Sequence, residues 1–151
     1  MRIAFACDHG GYLLKPIILK TIHAEGHEII DFGTDNAEIS VDFPDYVYKA
    51  CDAVQRKAAD RAIIVCGSGV GASVAANKLK GIIAGLCHDH YSAHQGVEHD
   101  HMNVLCMGAR VIGAAIGEEI TRAFLNAQED HDERFLRRMN KVRKLEEFGH
   151  L

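Results

Sequence analysis

The stretch RAIIVCGSGVGASVAANK, residues 61–78, decides the fold class. Ala62–Cys66 is a short, unbroken apolar run rich in Ile and Val, the pattern of a parallel strand covered on both faces. Gly67, Gly69 and Gly71 then break it into a turn, and Ala72–Lys80 follows as a helix. Outward from here the same alternation repeats. Further strands are predicted at Arg2–Cys7, Glu28–Phe32, Ile82–Cys87 and Val104–Met107, and helices at Tyr12–Glu25, Asp45–Ala59, Gly113–Gln128 and Asp132–Phe148. In the last helix Phe135, Met139, Val142 and Leu145 fall on one stripe at helical spacing. Strand–helix alternation of this kind implies a three-layer α/β/α fold on a parallel sheet. Pro16 either sits in the first turn of its helix or kinks it. The polar loop Gly33–Pro44 is long enough to overhang a site.

At 151 residues the chain has the size of one domain, 1–151, with a single substantial core. Its 17 basic and 21 acidic residues leave a net charge of −4, and no block of like charge resembles a nucleic-acid arm, so no nucleic-acid partner is expected. No apolar run approaches the roughly 20 residues that span a bilayer, and the strand-like run Arg2–Cys7 leaves no room for a signal peptide. Neither membrane insertion nor secretion is expected. Cys7, Cys51, Cys66, Cys87 and Cys106 are odd in number and widely spaced, with no Cys-x-x-Cys pair. They read as reduced thiols of a cytoplasmic protein.

In open α/β sheets ligands bind at the carboxyl ends of the strands, so the residues just after each strand carry the chemistry. After the first strand, Asp8 and His9 precede the turn Gly10-Gly11. Asp8 suits a sugar hydroxyl or a helix N-cap, and His9 a phosphate or hydroxyl. After the third, the Gly67–Gly71 turn offers backbone N–H groups to an anion. It lacks both the Gly-Lys-Ser/Thr of a Walker loop and the spacing of a dinucleotide fingerprint. Cys66 opens this turn, where a helix N-terminus favours a thiolate base or nucleophile. The bland alternative is a small buried hydrophobe, the reading given to Cys7, Cys87 and Cys106. After the fourth strand, His88, His90, His94, His99 and His101 crowd into fourteen residues. No His-Glu-x-x-His or other standard ligand spacing accompanies them, so an acid–base histidine among surface histidines competes with a metal site. Arg134, Arg137, Arg138 and Lys141 are spaced along one face of the last helix, as phosphate ligands or as solvated charge, and Arg110 opens the helix after the last strand.

Taken in order, Ile3–Gly11 (IAFACDHGG), Val41–Tyr46 (VDFPDY), Ile64–Lys78, Tyr91–Ala93 (YSA), His99–Leu105 (HDHMNVL), Gly108–Gly113 (GARVIG) and the Arg134/Arg138 pair resemble the ribose-5-phosphate isomerase B and galactose-6-phosphate isomerase family over nearly the whole chain. The resemblance implies a Rossmann-like fold with a five-stranded parallel sheet. It implies a cytoplasmic aldose–ketose isomerase of a sugar phosphate, first of all ribose 5-phosphate, that uses no metal or organic cofactor. It also implies a homodimer or dimer of dimers with active sites at the subunit interface. By the family pattern Cys66 is the base that moves a proton between C2 and C1, and Asp8 and His99 open the sugar ring. Ser68 and the loop of Gly67, Gly69 and Gly71 hold the enediolate oxygen. His9, Arg110, Arg134 and Arg138 grip the phosphate, and Tyr46, Asp100 and Asn103 join the substrate-binding set. One branch of the family carries a glutamate base where this chain has Ala72, which leaves Cys66 as the candidate. Asp100 stands where relatives often carry Asn, Phe135 where a His is common, and Ser68 where Thr is frequent. A hexose 6-phosphate or a tetrose phosphate therefore stays open as substrate. The competing readings are a metal-dependent enzyme built on the His88–His101 cluster and a non-catalytic sugar-phosphate binding protein.

Overall fold

In the computed structural model, which describes residues 1–151, five strands pair in parallel: β1 (Arg2–Cys7), β2 (Glu28–Asp31), β3 (Arg61–Cys66), β4 (Ala84–Leu86) and β5 (Val104–Gly108). Their order is β2-β1-β3-β5-β4, with Ile3 opposite Arg61 and Ala62 opposite Val104. Six helices surround the sheet: α1 (Lys15–Ala24), α2 (Phe43–Gln55), α3 (Val70–Ala76), α4 (His90–Asp100), α5 (Ala114–Asn126) and α6 (Glu133–Phe148). Helices α1, α4 and α5 cover one face, and α2 and α3 cover the other, which is the expected three-layer architecture.

Successive strand residues point to opposite faces, and both faces are buried, so the strands read as continuous apolar runs. Ile3, Phe5, Ile63 and Leu105 meet Ile18, Ile120 and Phe124, while Ala4, Ala6, Ile64 and Cys106 meet Val47, Ala50 and Ala72. Each fully buried Ile or Phe here stabilises the fold by roughly 1.5–3 kcal/mol relative to exposure. The turn that follows β1 approaches β3 too closely for a side chain: a Cβ on Gly11 would lie 2.1 Å from the Val65 carbonyl oxygen.

Several elements depart from the sequence reading. A 3-10 turn, Tyr12–Leu14, precedes α1, and Pro16 sits in the first turn of α1 without a kink. Helix α2 starts at Phe43 because Pro44 also fits a first turn, and it ends before Lys57, which adopts φ 58°. Helix α3 is only seven residues long. The Asn77 amide stops it, bonding the Ser73 carbonyl and both polar backbone groups of Ala84, so that it occupies the open edge of β4. Helix α4 was not anticipated, because the histidine-rich segment has no apolar stripe. Its start is fixed by Asp89, whose carboxylate accepts from the Ser92 backbone N–H (2.7 Å) and hydroxyl (2.7 Å). No helix is long and apolar enough to cross a membrane.

Helix α6 crosses the amino edge of the sheet. Near its start Phe135 lies against His99, and near its end Glu146 accepts from the Gly81 N–H (2.8 Å), in the turn that leads to β4. Beyond Met139 every residue of the helix is exposed.

Candidate active site

The strand order reverses between β1 and β3, since β2 lies on one side of β1 and the rest of the sheet on the other. The two strand tips at this point carry Asp8-His9 and Cys66-Gly67, where an α/β sheet opens its ligand crevice. A Cβ on Gly10 would lie 3.0 Å from the Gly67 nitrogen, so the two turns touch. Asp8, which is buried, accepts the Gly11 N–H through Oδ1 (2.9 Å) and has no hydrogen bond to Oδ2 within the chain. One oxygen does the work of a cap, and the other is free for a ligand. His9 Nδ1 accepts the Val41 N–H (3.1 Å), so a neutral ring holds its proton on Nε2 as a donor. The same bond draws the Gly33–Pro44 loop over the β1 tip. Lys15 pins the start of that loop through the Thr34 carbonyl (3.0 Å) and Asp31 (2.9 Å). Burial alone would depress the Lys15 ammonium, but Asp31 and Asp35 outweigh it and its pKa is raised.

Cys66 Sγ accepts the Gly69 N–H at 3.0 Å, and Gly69 adopts φ 81°, a left-handed conformation in which any side chain would be strained. The turn is closed by Arg110, whose backbone N–H donates to the Gly67 carbonyl (3.0 Å) and whose guanidinium lies beside Gly67. Ser68 is exposed at the turn, with its Oγ 3.3 Å from the Val70 nitrogen. Because α3 is short, oriented loop amides rather than a long helix dipole supply the positive potential here. The other cysteines differ. Burial pushes the Cys7 and Cys51 thiols up to about 12 and Cys87 to about 11, and raises Cys106 well above the ordinary thiol range, which makes all four inert core residues.

The remaining candidates lie elsewhere. Helix α4 leaves the carboxyl end of β4 and returns to the amino end of β5, which carries His99 roughly 15 Å back along the strand direction. There His99 stacks on Phe135, with centroids 4.0 Å apart and planes 10° apart. The Arg134 and Arg138 guanidiniums lie 4.5 and 5.9 Å from the same ring. Gln95 ties His99 Nδ1 (3.1 Å) to Asp100 Oδ2 (3.2 Å). The ionised Asp100 can only accept, so the shared Gln95 atom is the amide nitrogen, and a neutral His99 carries its proton on Nε2. Asn103 spends its amide on Ile83 N–H (2.8 Å) and the Gly81 carbonyl (2.9 Å), an anchor for β4. Tyr46 packs on the α2 side of the core, beneath Lys49. Arg137 and Lys141 do not join Arg134 and Arg138: they line a separate shallow surface with Leu136 and Lys144.

The chain thus gathers Asp8, His9, Cys66, Ser68, the glycine turn and Arg110 at one edge, and His99, Asp100, Arg134 and Arg138 at the other. A cleft of about 530 Å³ under α6, lined by Asp60, Asn77, Gly81, His101, Asn103 and Glu146 among others, includes neither Cys66 nor Asp8. Three roles were not foreseen. Phe135 is a buried platform for His99 rather than merely a lost histidine, and Gln95 orients His99 from one helical turn away. His88 Nε2 accepts the Gly108 N–H (2.9 Å) and so braces the β5 tip. The i, i+4 spacing of Gln95 and His99 was a usable signal only once the segment was known to be helical.

The sequence and fold are similar to those of known proteins. Residues 3–142 match the family model described as Ribose/Galactose Isomerase. The chain is 42% identical to ribose-5-phosphate isomerase B of Escherichia coli over 127 residues, 84% of this chain and 85% of that protein. It is 33% identical to D-erythrulose-4-phosphate isomerase 2 of Mycolicibacterium smegmatis over 132 residues, 86% of this chain and 87% of that one. The structure of ribose-5-phosphate isomerase B from Clostridium thermocellum superimposes with a TM-score of 0.92 at 40% identity, covering 97% of this chain and 98% of the other. The chain belongs to the ribose/galactose isomerase family, whose members are sugar-phosphate isomerases.

Proposed function

We propose that the protein interconverts ribose 5-phosphate and ribulose 5-phosphate in the cytoplasm, at sites shared between two copies of the chain. The observation that carries this reading is the division of the candidate residues. Cys66 holds an amide-bonded sulfur beside Asp8 and His9, while His99, Arg134 and Arg138 sit at the opposite edge of the same sheet. One chain does not bring the whole set together, which supports a site completed by a second copy. Five free cysteines suit a reducing compartment.

In the mechanism, Asp8 and the partner copy's ring-opening histidine shuttle the proton between ring oxygen and anomeric hydroxyl. The Cys66 thiolate takes the C2 proton of the open aldose. The electron pair forms the C1–C2 double bond of an enediolate, whose oxygen is held by N–H groups of the Gly67–Gly71 turn and by Ser68. The hydroxyl proton passes from O2 to O1 and the sulfur returns its proton to C1, so the C2 carbonyl of the ketose forms with no net gain or loss of protons or electrons. The phosphate, gripped by His9 and the arginines, takes no part in the bond changes, and its binding orients the reacting carbons.

Asp100 and Phe135, both in the ring-opening cluster, favour a second reading in which a tetrose phosphate is the substrate, since such a sugar needs no furanose opened. Assay of the purified protein on aldose and ketose phosphates of four, five and six carbons tests both. The highest kcat/KM is expected for ribose 5-phosphate, with solvent deuterium entering C1 of the ketose. Preference for a tetrose phosphate would replace the substrate, and no turnover of any sugar would overturn the enzyme reading.

A further inference from the structure

Beside the ring-opening cluster lies a second group of side chains that the isomerase reaction does not use. His101, Glu129 and His131 each offer one donor atom, and the three atoms lie within 4.8 Å of one another. His101 is nine-tenths buried, its Nε2 has no hydrogen-bond partner, the Glu129 carboxylate lies 3.5 Å from its Nδ1, and the His131 ring meets it edge-on at 5.9 Å between centroids. Leaving a buried imidazole nitrogen unsatisfied costs free energy, and such a group calls for a ligand. His101 also holds φ 54° as the C-cap of α4, where glycine would be unstrained.

The backbone around the other two residues is fixed. The Arg61 guanidinium donates to the carbonyls of Phe124 (2.6 Å) and Ala127 (3.0 Å), and it attracts the nearby Glu129 carboxylate without a hydrogen bond to it. The Asp130 N–H donates to the Glu98 carbonyl (2.8 Å), and the Asp132 N–H to Asp130 Oδ1 (2.8 Å). The segment between α5 and α6 is therefore pinned on both sides of Glu129 and His131, and both residues are presented to His101.

We propose that His101, Glu129 and His131 form a site for a divalent transition-metal ion of zinc type, distinct from the Cys66 centre. Two imidazoles and a carboxylate are nitrogen and oxygen donors that such ions favour over magnesium or calcium. A tetrahedral zinc with bonds near 2.0–2.1 Å needs donors about 3.3 Å apart, so the three donor atoms, now within 4.8 Å of one another, must draw together around the ion, and Glu129 and His131 are the exposed side chains of the three. The cleft that His101 and Glu129 line gives water access to the ion as a fourth ligand. The ion would strap the end of α4, two residues after His99, to the start of α6, three residues before Arg134.

This proposal does not depend on the isomerase reading, and its test reads binding. Chelator-stripped protein is titrated with zinc chloride by calorimetry, and melting is followed with and without the ion. One tight site per chain is expected, with a higher melting temperature when it is filled. His131→Asn and Glu129→Gln, both at exposed positions, should weaken that site about 100-fold or more and abolish the thermal shift. His94→Asn should change neither. Unaltered tight binding in His131→Asn, loss of binding in His94→Asn, or no tight site in the wild type would each overturn the proposal.

Discussion

At the scale of single residues, Cys66 stands apart from the other cysteines by its place in the glycine turn. Its sulfur accepts the Gly69 N–H at the turn, while burial pushes the other four thiols up. If Cys66 is the base, Cys66→Ala should lower kcat by a factor of about 10²–10⁴, the usual worth of a positioned base, and leave KM nearly unchanged. Steady-state kinetics on the preferred sugar phosphate, with binding of a non-reacting analogue as control, decides it. A variant with near-normal kcat would remove Cys66 from the proton transfer. His27 gives a pH prediction. Burial, and then the charge of the amino terminus, depress its pKa below the ordinary 6.5. The unfolded chain therefore binds more protons between that depressed value and 6.5. Stability from this group is full above 6.5 and is lost as pH falls through the folded value. His27→Gln should flatten the fall in melting temperature between pH 7 and 5.

Among the elements, α6 matters most for the site. Its first turn carries a capping Asp132, whose carboxylate accepts the Arg134 N–H (2.9 Å), and then Phe135 against His99. Arg134 and Arg138 are one turn apart and flank the Phe135 ring, whereas Arg137 faces a different surface. Each of Arg134→Ala and Arg138→Ala should raise KM about 10- to 100-fold, matching roughly 1.5–3 kcal/mol for a charged hydrogen bond, while Arg137→Ala stays near wild type. Competition by inorganic phosphate checks this independently. Equal inhibition of wild type and the double variant would place the phosphate elsewhere.

For the whole molecule, the separation of the two clusters makes a prediction about assembly. If two copies share each site as proposed, Cys66→Ala and His99→Asn spoil different halves of it. Refolded together from an equal mixture, half the dimers are mixed, and each mixed dimer holds one intact site of two. Activity should therefore recover to about a quarter of wild type, from a near-zero value for either variant alone. Recovery no greater than the sum of the separate variants would mean that each chain builds its own site.

The sequence alone determined the parallel α/β architecture and the residues at the β1 and β3 tips. Both follow from short-range physics: unbroken apolar runs exist because both sheet faces are covered, and glycines mark turns where backbones touch, as Gly11 does with Val65. Helix α4 was hidden because its buried side is only Ala93 and Val97, with Gly96 against Met102, too small a stripe to register as periodicity. The tertiary structure decided what depends on the path of the chain. Where α4 and α6 come to rest put His99 against Phe135, split the candidate site between two edges, and brought His101 to Glu129 and His131. None of these pairs is set by local spacing, because each joins elements whose positions only the packing of the whole sheet fixes.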